Sequence, residues 1–391
     1  MTRDLSTDLI HHPYLPPAGF EAPQVPVHKA STVIFPNVAA VRSRDWRYKG
    51  GYTYGLHGTP TTFILEERIA TLEGGRQCVL APSGLAAIML VDLALLAPGD
   101  EVLLPNNVYG PSRELARQEL ARWGIRHSLY DPMDAAALVR AIAPQTKLIW
   151  LEAPGSVTME FPDLAGLVAA ARARGVLTAL DNTWGAGIAF KAFDLGIDIV
   201  MQALTKYPSG GGDVLMGSVC TRDQALHEMI KLTHMRLGLG VGGNDAELML
   251  RSLSSLPMRY RAQDEAGREL ARWLAQRPEV ARVLHPALDG APGHEHWRTH
   301  CSAAAGLFSV LLDVRYTPAE VDAFVDALRL FKIGYSWAGP VSLVVPYELA
   351  TLRGAGRGGL QGHLVRFSLG FEAVADLQAD IAQAMAAAFG G

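Results

Sequence analysis

Cysteine is scarce in this 391-residue chain: three in all, Cys78, Cys220 and Cys301, each far from the others. That excludes a disulfide framework and a cysteine-based zinc site, and it suits a reducing compartment. An excess of charge of one sign is missing too. The formal net charge is −4 and the pI about 6.3, so no broad basic field exists to gather nucleic acid or an anionic lipid surface. Long apolar runs are absent as well. The most apolar stretch, 85–97, is interrupted by Asp92 and is too short to span a bilayer. The first residues carry acids and no apolar centre, so no secretory leader is expected. The expectation is a cytoplasmic protein without nucleic-acid or membrane partners.

What is present is a large stock of core residues, 49% of the chain being hydrophobic, enough for two or three domains. Residues 1–58 are rich in Pro, His and aromatics with little periodicity, and read as an extended arm. A helix then begins: Thr59 can cap it, Pro60 suits its first turn, and Gly74-Gly75 stops it. From there short apolar runs alternate with helical patterns. Cys78-Val-Leu-Ala precedes a helix from Gly84 to Leu96, and Glu101-Val-Leu-Leu-Pro precedes one from Pro111 to Trp123. Lys147-Leu-Ile-Trp-Leu precedes a helix from Pro162 to Arg174, and two further strands are Val176–Leu180 and Ile197–Gln202. Such alternation predicts an α/β fold with a mostly parallel sheet covered on both faces. The pattern changes near 238–243. One long helical stretch, Asn244–Ala275, leads to a smaller α/β region with strands at Leu307–Leu312 and Leu364–Ser368 and a closing helix, Glu372–Phe389. The expected division is an arm at 1–58, a large domain at 59–245 and a C-terminal domain at 246–391.

The chemistry-bearing signals lie at strand ends. Ala203-Leu-Thr-Lys206-Tyr ends an apolar strand and runs into a glycine-rich turn. A lysine at such a mouth loses solvation, which lowers its pKa and frees an amine nucleophile. Alone, such a residue is more often a solvated lysine just past a strand. Asp181 ends the strand before it, where ligands of open α/β sheets bind, or it caps the turn after that strand. A carboxylate and a lysine at neighbouring strand ends suit pyridoxal phosphate (PLP): the acid keeps the pyridine nitrogen protonated, and the lysine holds the aldehyde carbon. Ser83-Gly84-Leu85 turns a strand into a helix whose first N–H groups can bind phosphate, although a serine cap there is common. Thr205 can add a hydroxyl. Tyr109 can stack on a planar ring or pack in the core.

These pieces, with Tyr54-Gly-x-x-Gly-Thr-Pro-Thr, Glu152-Ala-Pro-Gly-Ser-Val-Thr-Met, Leu180-Asp-Asn-Thr-Trp-Gly-Ala-Gly, Tyr335-Ser-Trp-Ala-Gly and Leu364-Val-Arg-Phe-Ser-Leu-Gly, occur in order along nearly the whole chain. In that order and spacing the chain resembles the transsulfuration (Cys/Met metabolism) PLP enzymes of fold type I, and within them the bacterial β-lyase branch. The resemblance implies PLP as cofactor and β-elimination from a small sulfur amino acid, cystathionine, to homocysteine, pyruvate and ammonia. It implies that Lys206 is the Schiff-base lysine and proton shuttle, Asp181 the pyridinium partner and Tyr109 the stacking ring. Ser83, Gly84, Leu85 and Thr205 stand where the phosphate is held. Tyr54 resembles a tyrosine lent to a neighbouring subunit, so a homo-oligomer with shared active sites is implied, a tetramer by resemblance. Arg366 resembles the arginine that forks onto the substrate α-carboxylate. Ser336, Trp337 and Asn182 are the remaining substrate-pocket candidates. The competing expectations are a γ-acting relative and a non-catalytic PLP-binding regulator.

Three positions depart from that pattern. The arginine usual two residues after the borrowed tyrosine is Leu56, followed by His57. Pro340 and Val341 stand where an aromatic and a glutamate are usual, and a tyrosine is replaced around His234–Arg236. PLP phosphate carries close to two negative charges, so His57 is expected to reach across an interface toward it, with Arg44, Arg47 or Lys49 as alternatives. Two other signals carry less. Gly238-Leu-Gly-Val-Gly-Gly243 fits a dinucleotide pattern but follows a helix rather than a strand. The histidines of 294–300 lack supporting acids or cysteines, so no metal site is expected.

Overall fold

The computed structural model describes residues 4–12, 18–19, 22–349, 352 and 360–390. Seven strands form the main sheet: β1 Gln77–Ala81, β2 Glu101–Pro105, β3 Arg126–Tyr130, β4 Thr146–Glu152, β5 Leu177–Asp181, β6 Ile199–Gln202 and β7 Gly217–Thr221. Their order is β1-β7-β6-β5-β4-β2-β3, and only β7 runs antiparallel to its neighbours. The apolar runs are continuous because both faces are covered. Alternate side chains enter different cores. Leu80, Ile149, Leu151, Leu180 and Val200 face one, while Val79, Leu148, Trp150, Ala179 and Ile199 face the other. Helices Pro60–Glu73 and Leu164–Arg172 pack on the first face, and Gly84–Leu95 and Gln224–Leu237 on the second.

The helix after the arm forms as its sequence dictates. Thr59 caps it in a reciprocal box with Thr62, Pro60 opens it, and Gly74 ends it at φ 78°. The long stretch expected at Asn244–Ala275 is instead two helices, Gly243–Leu253 and Leu256–Leu274. Pro257 in the first turn of the second starts a helix rather than continuing one.

A second sheet, ordered β10-β11-β12-β9-β8, is built from β8 Val280–Leu284, β9 Leu307–Leu312, β10 Lys332–Ile333, β11 Leu343–Tyr347 and β12 His363–Ser368. One face packs Phe308, Val310, Val365 and Phe367 against helices Leu256–Leu274, Pro318–Ala327 and Val374–Phe389. The other turns Leu307, Leu311 and Leu364 into the main core. Among the described residues no helix is long and apolar enough to cross a membrane.

Candidate active site

A cavity of about 640 Å³ opens at the C-terminal ends of β1, β2, β4, β5 and β6, against the second sheet. Ser83, Gly84, Leu85, Tyr109, Asp181, Thr205, Lys206, Ser336, Trp337 and Arg366 all line it. Folding thus brings together ten of the residues singled out by sequence, from strand ends of the main sheet and from the distant second sheet.

Lys206 follows β6. Its Nζ donates to Ser336 Oγ at 2.8 Å and lies 5.6 Å from the centre of the Trp337 ring. Burial, reinforced by the Arg366 guanidinium, pushes its ammonium down to about 8, with Asp181 pulling the other way. An amine in that state is a usable nucleophile and base near neutrality.

Asp181 ends β5. The backbone N–H and hydroxyl of Thr183 both donate to Oδ1, so the second carboxylate oxygen is left for another donor. Burial raises this carboxyl, while the Thr183 bonds and Lys206 hold it down.

The helix Gly84–Leu95 points its N-terminus at the cavity. Ser83 Oγ takes the Ala86 N–H at 3.1 Å, and the N–H groups of Gly84 and Leu85 have no intrahelical acceptor. A side chain on Gly84 would lie 2.7 Å from Ala203 Cβ, so glycine lets this helix start close against the strand end. Thr205 Oγ exchanges bonds with the Met216 backbone, at 3.0 Å from its N and 3.2 Å from its O.

Arg366 lies on β12 and is 6% exposed. Its Nη2 donates to the carbonyls of Tyr335 and Ser336, its Cζ sits 5.5 Å from the Tyr347 ring centre, and its Nε is buried without a partner. An orphaned charged donor inside a cavity marks a place for an anionic ligand. The half-exposed Tyr109 ring, the phosphate cradle at Gly84, the acid and the amine together match what PLP and an amino acid require.

Other candidates lie elsewhere. Asn182, placed by sequence in the substrate pocket, is fully buried outside the cavity lining, and its Nδ2 donates to Glu73 Oε2 at 2.7 Å. The reason is geometric: Asp181 ends the strand facing the cavity, so the next side chain turns the other way. Tyr54 and His57 do not line the cavity of their own chain. His57 Nδ1 meets Thr53 Oγ1 at 2.7 Å, and its ring borders a small pocket with Lys231 and His234. Of the alternative bases, Lys49 is committed to Glu66 at 3.0 Å and Arg47 to Asp45 at 2.9 Å. Pro340, Val341 and His234 also stand off the cavity lining. Gly238 ends helix Gln224–Leu237 with φ 68°, so the glycine run is a helix stop. His294 pairs with Asp289 at 3.1 Å, and no metal-holding cluster occurs among the described residues.

Sequence reasoning gave no role to Glu152, which lines the cavity at the end of β4. It is an acid closing an apolar strand, the same signal that marks Asp181.

Comparison with known proteins agrees with this geometry. Residues 6–386 match the model of the family described as Cys/Met metabolism PLP-dependent enzyme. The chain is 40% identical to the cystathionine beta-lyase of Bordetella avium, covering 95% of this chain and 94% of that protein. It is 38% identical to the cystathionine beta-lyase of Escherichia coli, covering 91% of each. The crystal structure of a cystathionine gamma synthase from Xanthomonas oryzae pv. oryzae superposes with a TM-score of 0.90 at 30% identity, covering 99% of both chains.

Proposed function

The chain belongs to the Cys/Met metabolism PLP-dependent enzymes, and from that premise we propose that it is a carbon–sulfur lyase acting on cystathionine. With water, the reaction yields homocysteine, pyruvate and ammonia. PLP, the cofactor of the family, supplies an aldehyde carbon for amines and an electron sink for charge at the substrate α-carbon. The remaining work falls to side chains. Arg366 takes the α-carboxylate through its unpartnered Nε and so turns the single α-proton toward Lys206. Lys206 would hold the cofactor carbon, and its free amine takes that proton at Nζ and returns it to the departing sulfur. Asp181, with Oδ2 left open by Thr183, would keep the ring nitrogen protonated. Tyr109 would stack on the ring, and the N–H groups of Gly84 and Leu85, with the Ser83 and Thr205 hydroxyls, would hold the phosphate. Ser336 and Trp337 shape the side of the pocket next to Lys206.

The observation that carries this reading is the buried Arg366 guanidinium lining the same cavity as Lys206, with one donor unclaimed. β-Elimination removes a single carbon-bound proton, whereas γ-chemistry also needs one from the β-carbon. A γ-acting lyase or synthase is the competitor. Cystathionine, cystine, methionine and homocysteine should be assayed for both keto acids. Pyruvate from cystathionine supports the proposal; 2-oxobutyrate as the main product overturns it.

We also propose the division into an arm (1–58), a PLP-binding domain (59–245) and a C-terminal domain (246–391), in a cytoplasmic homotetramer. In that assembly Tyr54 and His57 serve a neighbour's site. The exposure of Tyr54 and of Ile34, 89% accessible in the same arm, supports an interface there.

A further inference from the structure

β4 and β5 run parallel, and their register sets Glu152 beside Asp181. Two carboxyl groups thus stand together on the cavity wall. They are served differently. Asp181 receives two bonds from Thr183 and has Lys206 near it. Glu152 receives the backbone N–H of Tyr109 on Oε2 at 2.8 Å, and Ser156 Oγ stands as donor to its Oε1. A serine hydroxyl can accept as well as donate.

Adjacent buried carboxylates do not both ionise cheaply, so one keeps a proton. Asp181, with two donors and a cation, is the better anion. Glu152 then carries the proton on Oε1, where Ser156 Oγ accepts it, and keeps Oε2 for the Tyr109 N–H. That bond matters because Tyr109 caps helix Gly110–Leu115 with no side-chain bond of its own. The same glutamate ties down the loop after β4, where Val157 and Met159 sit at φ 54° and 60°. We infer that Glu152 works as a neutral acid, a positioning residue that locks Tyr109 against the cofactor ring; this rests on assigning Tyr109 to the ring.

Burial first, then the charge of Asp181, pushes Glu152 up to about 8, in the required sense, with the bonds from Ser156 and Tyr109 opposing it only in part. The other titratable groups near it, the Tyr109 and Tyr130 phenols, are both pushed up by burial and stay neutral.

Glu152→Gln preserves the neutral shape: its amide oxygen can accept from Tyr109 while its NH2 donates to Ser156. Glu152→Ala removes both bonds. PLP affinity of the apoprotein and the visible dichroism of bound cofactor are measured, with kcat and KM for cystathionine. Glu152→Gln should stay within about threefold of the parent in PLP affinity and keep the dichroic band. Glu152→Ala should weaken PLP by at least about tenfold, flatten that band and lower kcat more than KM. Should the alanine variant not fold, Glu152→Asp replaces it, since it keeps the acid but falls a methylene short of Tyr109. Equal losses in Glu152→Gln and Glu152→Ala overturn the neutral-acid role. An unchanged band in Glu152→Ala or Glu152→Asp overturns the positioning role. Affinity and dichroism are read without turnover, so failure of cystathionine cleavage in every sample, parent included, would count against the proposed reaction alone.

Discussion

Lys206 Nζ donates to Ser336 Oγ at 2.8 Å, joining the lip of the main sheet to a loop of the second. Ser336 is itself held by Arg366, whose Nη2 donates to the carbonyls of Tyr335 and Ser336. The proposed substrate clamp and the proposed catalytic amine are therefore mechanically linked. Arg366 also depresses the lysine electrostatically, second only to burial. One guanidinium thus places the amine's partner and lowers the amine's affinity for protons.

The free amine of Lys206 should capture PLP, and its ammonium should not. With the group moved from 10.5 to about 8, the amine fraction rises as pH passes through about 8. Covalent capture of PLP by the apoprotein should therefore accelerate between about pH 7 and 9 and level off above, as read by stopped-flow absorbance. Lys206→Ala should give no borohydride-trapped adduct at any pH. A rate still climbing steeply at about pH 10 would place the lysine in an ordinary solvated environment.

Arg366→Lys should weaken substrate binding more than it slows turnover. A lysine offers one point charge in place of a fork, so apparent KM for cystathionine should rise at least about tenfold. Arg366→Ala should cost ~2–5 kcal/mol in kcat/KM, because it also strips a buried charge from the site. Loss of the Nη2 bonds should loosen the 335–337 loop and weaken the Lys206–Ser336 contact. Steady-state kinetics of both variants check this, and an unchanged KM in each would remove Arg366 from the clamp.

The sheet and the cavity wall were legible because their signals are local. Buried parallel strands such as β4 and β5 are apolar on both faces, and the acids that close them, Glu152 and Asp181, are visible in the chain. β3, Arg126-His-Ser-Leu-Tyr130, was not legible, because an edge strand with four of five residues partly or fully exposed has no apolar pattern. β7 escaped for another reason: Gly217-Ser-Val-Cys-Thr221 is small enough to read as a turn, yet it is wholly buried between β1 and β6. Asn182, a substrate-pocket candidate by resemblance, lies off the cavity because strand pleating sends the neighbour of Asp181 to the opposite side. The bond from Lys206 to Ser336 spans 130 residues, and no local pattern announces it.

His57 should matter for cofactor retention rather than for turnover. Within its own chain burial comes first, then Lys231 and Arg44, in holding its imidazole below the usual range. It is therefore neutral near pH 7 in an isolated chain. A phosphate dianion from a neighbouring site would reverse that bias and favour the charged form. The His57 ring should titrate lower in the apoprotein than in the PLP-bound oligomer, as NMR of the labelled ring can follow. His57→Ala should lose PLP faster on dialysis with little change in kcat at saturating cofactor. Equal retention, with the same titration in both states, would leave His57 a packing residue of the arm.

Asp92 offers a test of stability apart from the chemistry. It sits on the helix Gly84–Leu95, 3% exposed, with Trp150 Nε1 donating to it at 2.8 Å. Burial pushes its carboxyl from 3.8 up to about 7, and the indole bond only partly opposes this. The folded protein therefore binds a proton between those values that the unfolded chain releases. Stability from this group is fully present below the unfolded value and is lost as pH rises through about 7. Asparagine keeps an acceptor for Trp150 and carries no charge at any pH. Asp92→Asn should thus raise the melting midpoint at about pH 8 by at least about 2 °C, with the gain shrinking toward zero near pH 4. Calorimetry at the two pH values, at equal PLP, measures the difference. A gain of the same size at both would trace the effect to packing, and no gain at the higher pH would mean that the Asp92 charge is tolerated in the core.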